Sequence, residues 1–459
     1  MLGLLPGWAG AAQADGARLS AGWGLPFAGM LMSIALLPLV RPGLWHRHDG
    51  KIAIGWALAF MLPYAAFHGV GAAWDVLLHA LVAEYLPFIL LLVALFTVAG
   101  GIFIRGNLRG SPGVNVALMA VGAALASVMG TTGASMLMIR PLIRANDNRP
   151  YVVHVMVFFI FIVSNAGGCL TPLGDPPLFL GFLQGVGFFW TVGHLLPEAL
   201  FLCGSLLAIF YLIDRHHYRK EGVLPVDPTP DTRPGVGIEG KANLPLLLAI
   251  VGLVLMSGLW RPGIVLKVGG LQIGLEDAMR DTGLVAVTLL SARFTPAGPR
   301  QANGFSWAPM LEVARLFIGI FVTMAPVLAM LKAGPHGPFA AVAAAVTTAE
   351  GQPEPWAYFW FSGALSSFLD NAPTYLVFFN LAGGDAATLM GPLAAVLAAI
   401  SAGSVFMGAN SYIGNAPNFM VKAIAEERGI RMPSFFGYMA WSCGILVPLF
   451  VVMTWIWFQ

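Results

Sequence analysis

The sequence predicts an all-α polytopic membrane protein with about ten spans plus two re-entrant hairpins, arranged as two inverted repeats. Three observations carry this expectation. Apolar residues make up 58% of the 459 positions and charged residues only 10%; mean hydropathy is +0.79, well outside the range of soluble domains. Apolar runs of about 20 residues, long enough to cross a hydrocarbon core as a helix, recur along the whole chain. Finally, two stretches that interrupt such runs repeat at an offset of 240 residues, Ser164 to Phe179 (SNAGGCLTPLGDPPLF) and Ser404 to Phe419 (SVFMGANSYIGNAPNF). Ser164/Ser404, Gly168/Gly408, Gly174/Gly414, Pro177/Pro417 and Phe179/Phe419 coincide. A repeated pair of broken hydrophobic segments is the best sequence pointer to the binding site of a secondary transporter.

Taken in order, the expected spans are 22–41, 51–69, 80–104, 152–185, 193–214, 243–260, 279–293, 307–333, 387–416 and 435–458. Between the third and fourth, 115–143 is apolar but broken at Gly130-Thr131-Thr132-Gly133. Between the eighth and ninth, 356–383 is broken at Asp370-Asn371-Ala372-Pro373. The breaks again differ by 240, Ser127 matching Ser367. A hairpin that enters and leaves on one face fits each segment, since non-helical backbone at membrane depth survives only inside protein or beside a cavity.

Charge tests the arrangement. With the N-terminus outside, the inner loops hold 18 of the 24 Lys and Arg residues, among them Arg47, Arg109, Arg149, Arg219, Lys241, Arg300 and Arg428. The outer side holds Arg18, Arg261, Lys267, Arg280 and Lys332, and Arg315 falls near a span. This is the positive-inside pattern, and it makes the first hairpin open inward and the second outward. Residues 1–14, ending in Ala12-Gln13-Ala14, fit either a cleaved signal peptide or an uncleaved tail. Residues 15–214 then form the first half with the first inverted repeat, 215–242 a cytoplasmic linker with a Pro-rich run from Pro225 to Pro234, and 243–459 the second half with the second repeat. His216 and His217 are expected as a solvated loop pair. Cys169, Cys203 and Cys443 lie in apolar segments without metal spacing and are expected as small packing residues.

Asp175 is the sharpest single residue. A carboxylate near the membrane centre costs at least ~2.5–3.5 kcal/mol by insertion scales and is by default functional. Asn165, Thr171 and the carbonyls freed by Pro176 and Pro177 offer it company as oxygen ligands for a small hard cation. The plainer alternative is a helix cap, because Asp is a good N-cap. The same pair of readings applies to Asp370, followed by Asn371, Pro373 and Thr374. At the first hairpin Thr131, Thr132 and Ser135 supply hydroxyls, and the second crossover carries Asn410, Ser411 and Asn415, with Asn415 in the place of Asp175. The candidate ion-binding set is therefore Thr131, Thr132, Ser135, Asn165, Thr171, Asp175, Asp370, Asn371, Thr374, Asn410, Ser411 and Asn415, with Asp175 and Asp370 as sodium ligands. Desolvated carboxylates are groups for which a proton and sodium can compete, and they repel an anion unless protonated or neutralised by a bound cation. Arg140 is either an anion clamp or, beside Pro141 and Arg144, an inward-snorkelling side chain. Glu312 and Arg315 are expected to pair locally at i,i+3. Lys332, Glu198, His68 and His79 are expected at the interfaces.

These motifs resemble the ion transporter superfamily that includes NhaD-type sodium/proton antiporters, arsenite-pump permeases, citrate permeases and divalent-anion/sodium symporters. The resemblance covers roughly 80–430 and is most specific in Ser164 to Gly168, Thr171 to Pro177, and Phe368 to Thr374. It is nearest to bacterial proteins described as sodium/proton antiporters or citrate transporters, which implies an inverted-repeat fold, scaffold and transport domains, often a homodimer, and residence in the bacterial inner membrane. The chain departs from the dicarboxylate symporters, whose hairpins carry Ser-Asn-Thr where this one has Gly130-Thr131-Thr132 and Asp370-Asn371-Ala372.

The expected function is sodium/proton antiport by alternating access, with a sodium- or proton-coupled citrate or dicarboxylate symporter as the alternative. A membrane-embedded aspartyl protease, the rival from another class, needs Gly-x-Gly-Asp, whereas this chain has Pro172-Leu173-Gly174-Asp175, so no enzyme is expected. The expected partners are small ions or a small-molecule substrate and the lipid bilayer. No cofactor is expected beyond sodium as substrate or coupling ion, and no basic patch suggests nucleic acid.

Overall fold

The computed structural model describes residues 16–106, 108–222, 237–268 and 270–459; the segment 1–14 and the run from Pro225 to Pro234 lie outside the described residues. Two long helices, Leu25–Val40 and Pro42–His68, lead into a third that runs from Val70 to Gly100 through a π-helical segment, His79–Tyr85. That third helix begins ten positions before the expected span. Gly69, at φ 90°, ends the preceding helix, and the exposed Asp75 that makes 70–79 look like a loop rides on the flank.

The first hairpin follows as Pro112–Met129 and Thr131–Ala145, turning at Gly130 with φ 82°, a conformation glycine tolerates best. Ser111 caps its first arm through Val114 N at 3.4 Å. Next comes a broken crossover: helix Val153–Ile162, a 3₁₀ turn Ala166–Gly168, and half-helix Pro176–Leu183. Trp190–Glu221 closes the half, running on past Asp214, so His216 and His217 lie on its last turns rather than in a loop. His217 stacks on His154 at 4.7 Å.

The second half repeats the plan. Asn243–Leu259, Leu275–Phe294 and Ala308–Lys332 precede a hairpin of Pro355–Phe368 and Asn371–Leu381, and a crossover of Ala394–Phe406, a 3₁₀ turn Met407–Asn410 and half-helix Ala416–Glu427. Phe435–Trp457 is last. The expected span 387–416 therefore stops short. Lys422, Glu426 and Glu427 make the following residues look like loop, but Lys422 pairs with Glu426 at 2.7 Å along an amphipathic helix that buries Pro417, Asn418, Val421 and Ala425. Seven helices among the described residues are individually long and apolar enough to cross a membrane; Asn243–Leu259 and the two crossover helices are apolar but shorter.

The ends of these elements sort into two groups. Strand Phe103–Arg105 pairs with Gly237–Glu239, and Asn243 bonds Gly101 O and Thr295. There too the feet of the first hairpin are tied, Gly110 N to Ala145 O at 2.6 Å. At the opposite end Trp190 Nε1 donates to Met390 O, and Lys332 packs against Gly384 at the foot of the second hairpin. The segments expected on one side of the membrane gather at one end, and the two hairpins enter from opposite ends. The expected Glu312–Arg315 pair does not form: Arg315 reaches Asp49 at 3.0 Å and Glu312 accepts from Trp45 Nε1 at 3.1 Å, because the neighbouring helix Pro42–His68 supplies partners to both.

A candidate ion site where the breaks meet

Each hairpin is strapped to its own crossover by the same set of hydrogen bonds. Ser127 Oγ donates to Gly167 O at 2.6 Å, and Ser367 Oγ to Met407 O at 3.1 Å. Thr171 Oγ1 donates to Ser127 O, and Ser411 Oγ to Ser367 O. Leu173 N and Ile413 N then donate to those two hydroxyls, each at 3.2 Å. Every member is 240 residues from its counterpart. The crossovers fold back so tightly that a Cβ on Gly174 would collide with the Gly168 carbonyl, and one on Gly414 with that of Gly408.

These straps bring Asp175 and Asn415 to equivalent places at the starts of the two half-helices, with nearly equal backbones (φ −144°, ψ 142° and φ −151°, ψ 138°). Neither side chain caps its helix. Asp175, only 1% exposed, instead accepts three side-chain hydrogen bonds. Thr131 Oγ1 donates to its Oδ1 at 2.9 Å, Asn415 Nδ2 to the same oxygen at 3.2 Å, and Asn371 Nδ2 to Oδ2 at 2.6 Å. One carboxylate thus ties both hairpin tips and both crossovers together. Asn371 Oδ1 is buried without a partner, an unfilled acceptor on the residue that holds Asp175. Asp370 behaves differently: its Oδ1 accepts from Ala372 N at 3.0 Å, capping Asn371–Leu381.

Both carboxylates border one cavity of about 90 Å³. Its polar lining comes from Thr131, Thr132, Asp175, Asp370 and Asn415; its walls are apolar, with Phe88 and Phe96 from the Val70–Gly100 helix and Met310 and Phe317 from Ala308–Lys332. Among the described residues, no lysine, arginine or histidine lines it.

The remaining candidates lie around the cavity. Asn165 Oδ1 accepts from Asn415 at 3.2 Å, while its amide donates to Asn418 Oδ1 at 2.7 Å. Thr171 and Ser411 are the straps described above, and Ser135 bonds Ser164 at 2.8 Å. Thr374 bonds the Asp370 carbonyl, and Asn410 bonds Ser367 Oγ. Arg140 does not line the cavity; its guanidinium lies over Gly304.

Sequence reasoning passed over a second buried polar cluster. Arg149 grips Asp214 at 2.7 and 3.2 Å and Glu221 at 2.9 Å, His154 Nε2 meets Asp214 Oδ1 at 2.8 Å, and Asn115 donates to Asp214 Oδ2 at 3.0 Å. It anchors the feet of the first hairpin. Asn115 and His154 are lone polar residues on apolar helices, and that was the available signal. Asn418 was likewise missed, and Glu198, expected at an interface, is 4% exposed.

A polytopic helical protein with two opposed hairpins, two broken crossovers and a carboxylate-lined cavity at their junction has the architecture of a secondary transporter. The chain belongs to the family described as "Putative citrate transport", whose model matches residues 16–458. None of the curated proteins compared with it matches.

Proposed function

We propose that the protein exchanges sodium for protons by alternating access, with the ion held at Asp175 and Asp370. The observation that carries this reading is the cavity lining: two carboxylates and neutral oxygens, with no cationic side chain among the described residues. A cation entering there meets Asp370 directly. It reaches the Asp175 oxygens as Thr131, Asn371 and Asn415 turn their own oxygens inward, and the unpartnered Asn371 Oδ1 is such an oxygen. A proton competes for the same carboxylates, so one ion leaves as the other binds.

The family's description favours a second reading, citrate uptake. A citrate anion in this low-dielectric cavity would need both carboxylates neutralised, by protons or by a co-bound cation. Proteoliposomes with a trapped pH dye separate the two. Antiport requires that sodium or lithium, added outside acid-loaded vesicles, drive saturable proton efflux without citrate. Citrate-dependent sodium or proton uptake, with no exchange in its absence, establishes the symporter instead.

A further inference from the structure

Glu198 is a buried acid that the cavity does not use. It lies eight residues in from the Trp190 end of Trp190–Glu221, about 12 Å along the axis at 1.5 Å per residue, inside an apolar span. It is 4% exposed, and its Oε2 is buried with no hydrogen-bond partner. An ionised carboxylate in that setting is costly, whereas a protonated one is a neutral group. Glu198 belongs to the buried stripe Thr191, Leu195, Glu198 and Leu202, and Thr191 Oγ1 on that stripe donates to Leu170 O at 2.8 Å. The stripe is therefore turned toward the first crossover, the loop that carries Asp175.

An exposed titratable side chain lies one turn away on the same helix. His194, one turn toward the Trp190 end, is exposed, stacks on Trp190 at 4.2 Å and bonds the Trp190 carbonyl through Nδ1 at 2.9 Å. The other titratable neighbours are Cys203 on the same helix and Cys169 on the first crossover, which lies within electrostatic reach of both Glu198 and Asp175. Helices Pro112–Met129 and Ala394–Phe406, also packed here, bring none. Val153–Ile162 brings only His154, held by Asp214 toward the far end, and Phe435–Trp457 brings Tyr438 and Cys443.

We propose that Glu198 is a proton-binding site, loaded from the Trp190 end through His194, and that its protonation is linked to the cation occupancy of the cavity through the first crossover. A proton from bulk water passes to His194 and then to Oε2; the imidazole returns to its starting form and the carboxylate becomes a neutral acid. The linkage, but not the site, rests on the cation-exchange reading.

Infrared difference spectra of the full chain in lipid nanodiscs test this without a transport assay. The wild type should show an acid carbonyl band at neutral pH that is absent from Glu198→Gln, shifted but present in Glu198→Asp, and retained in Asp175→Asn. Sodium should change its intensity in the wild type and not in Asp175→Asn. His194→Gln should slow its response to a pH jump. Identical acid bands in the wild type and Glu198→Gln would overturn the site, and a Glu198 band indifferent to sodium would overturn the linkage. A wild type that shows the band yet moves no protons against sodium in vesicles would instead count against the exchange reading alone.

Discussion

Asp175 and Asp370 share a cavity but differ in what holds them. Asp175 accepts from Thr131, Asn371 and Asn415, whereas Asp370 caps a half-helix through one oxygen. Asparagine keeps the shape of either side chain and removes the titratable charge. Asp175→Asn and Asp370→Asn should each lower sodium-driven proton efflux at least about tenfold, the equivalent of ~1.4 kcal/mol, with normal insertion in the membrane; Arg140→Gln should change it far less. If protons and sodium compete for the same oxygens, as proposed, apparent sodium affinity in the wild type should weaken as pH falls. An affinity that holds constant or rises toward low pH would remove the competition on which antiport depends. Both acids were visible in the sequence because a carboxylate beside Gly and Pro in an apolar run has few reasons to be there. Glu198 was not. A glutamate about two turns from a helix end looks the same whether it snorkels or is buried, and only packing against the first crossover decides.

At the scale of elements, the hairpin straps and the Arg149 cluster do different work. Ser127 and Ser367 each anchor a hairpin by a single hydroxyl, so Ser127→Ala should cost about 0.6 kcal/mol and at most ~2, the range of hydrogen bonds between membrane helices. Asp214→Ala leaves Arg149 buried with Glu221 as its remaining carboxylate. Breaking such a pair costs roughly 3–5 kcal/mol. Thermal unfolding in detergent should therefore rank Asp214→Ala well below Ser127→Ala. Equal melting temperatures would mean that the cluster does not anchor the hairpin. The 240-residue offset pairs Ser127 with Ser367 in the sequence, whereas the hydrogen bonds that make them straps appear only in the fold. The Arg149 cluster was not legible in the sequence, because its bonds join distant residues, Asn115 and Asp214 being 99 apart, and its members have no counterpart in the other repeat to draw attention to them. The half-helix Ala416–Glu427 was hidden for a related reason: its charges pair with each other along one face while the opposite face is buried.

For the whole molecule, alternating access as proposed requires two barriers that seal the cavity in turn. Toward the Lys332 end, Phe88 stacks on Phe317 at 4.7 Å and meets Phe321 at 5.6 Å. Toward the other end, Phe96 packs on Phe305 at 5.1 Å within an apolar cluster that includes Met136 and Met310. The walls bearing Phe88, Phe96, Met310 and Phe317 belong to two unbroken helices, whereas the polar lining belongs to the hairpins and crossovers. Rocking of the broken elements against that pair would open one barrier as the other closes. The charge bias predicts which barrier faces the cytoplasm: 18 of the 24 Lys and Arg residues fall in the loops expected inside. In a background lacking Cys169, Cys203 and Cys443, Lys241→Cys should react with a membrane-impermeant maleimide only in inverted vesicles, and Lys267→Cys only in intact cells. Both positions are exposed, so failure to label cannot be blamed on burial. The reverse pattern would place the Arg149 cluster outside and Glu198 nearer the cytoplasm. The proton path through His194 would then start from the cytoplasmic face, and the charge argument for the topology would be wrong.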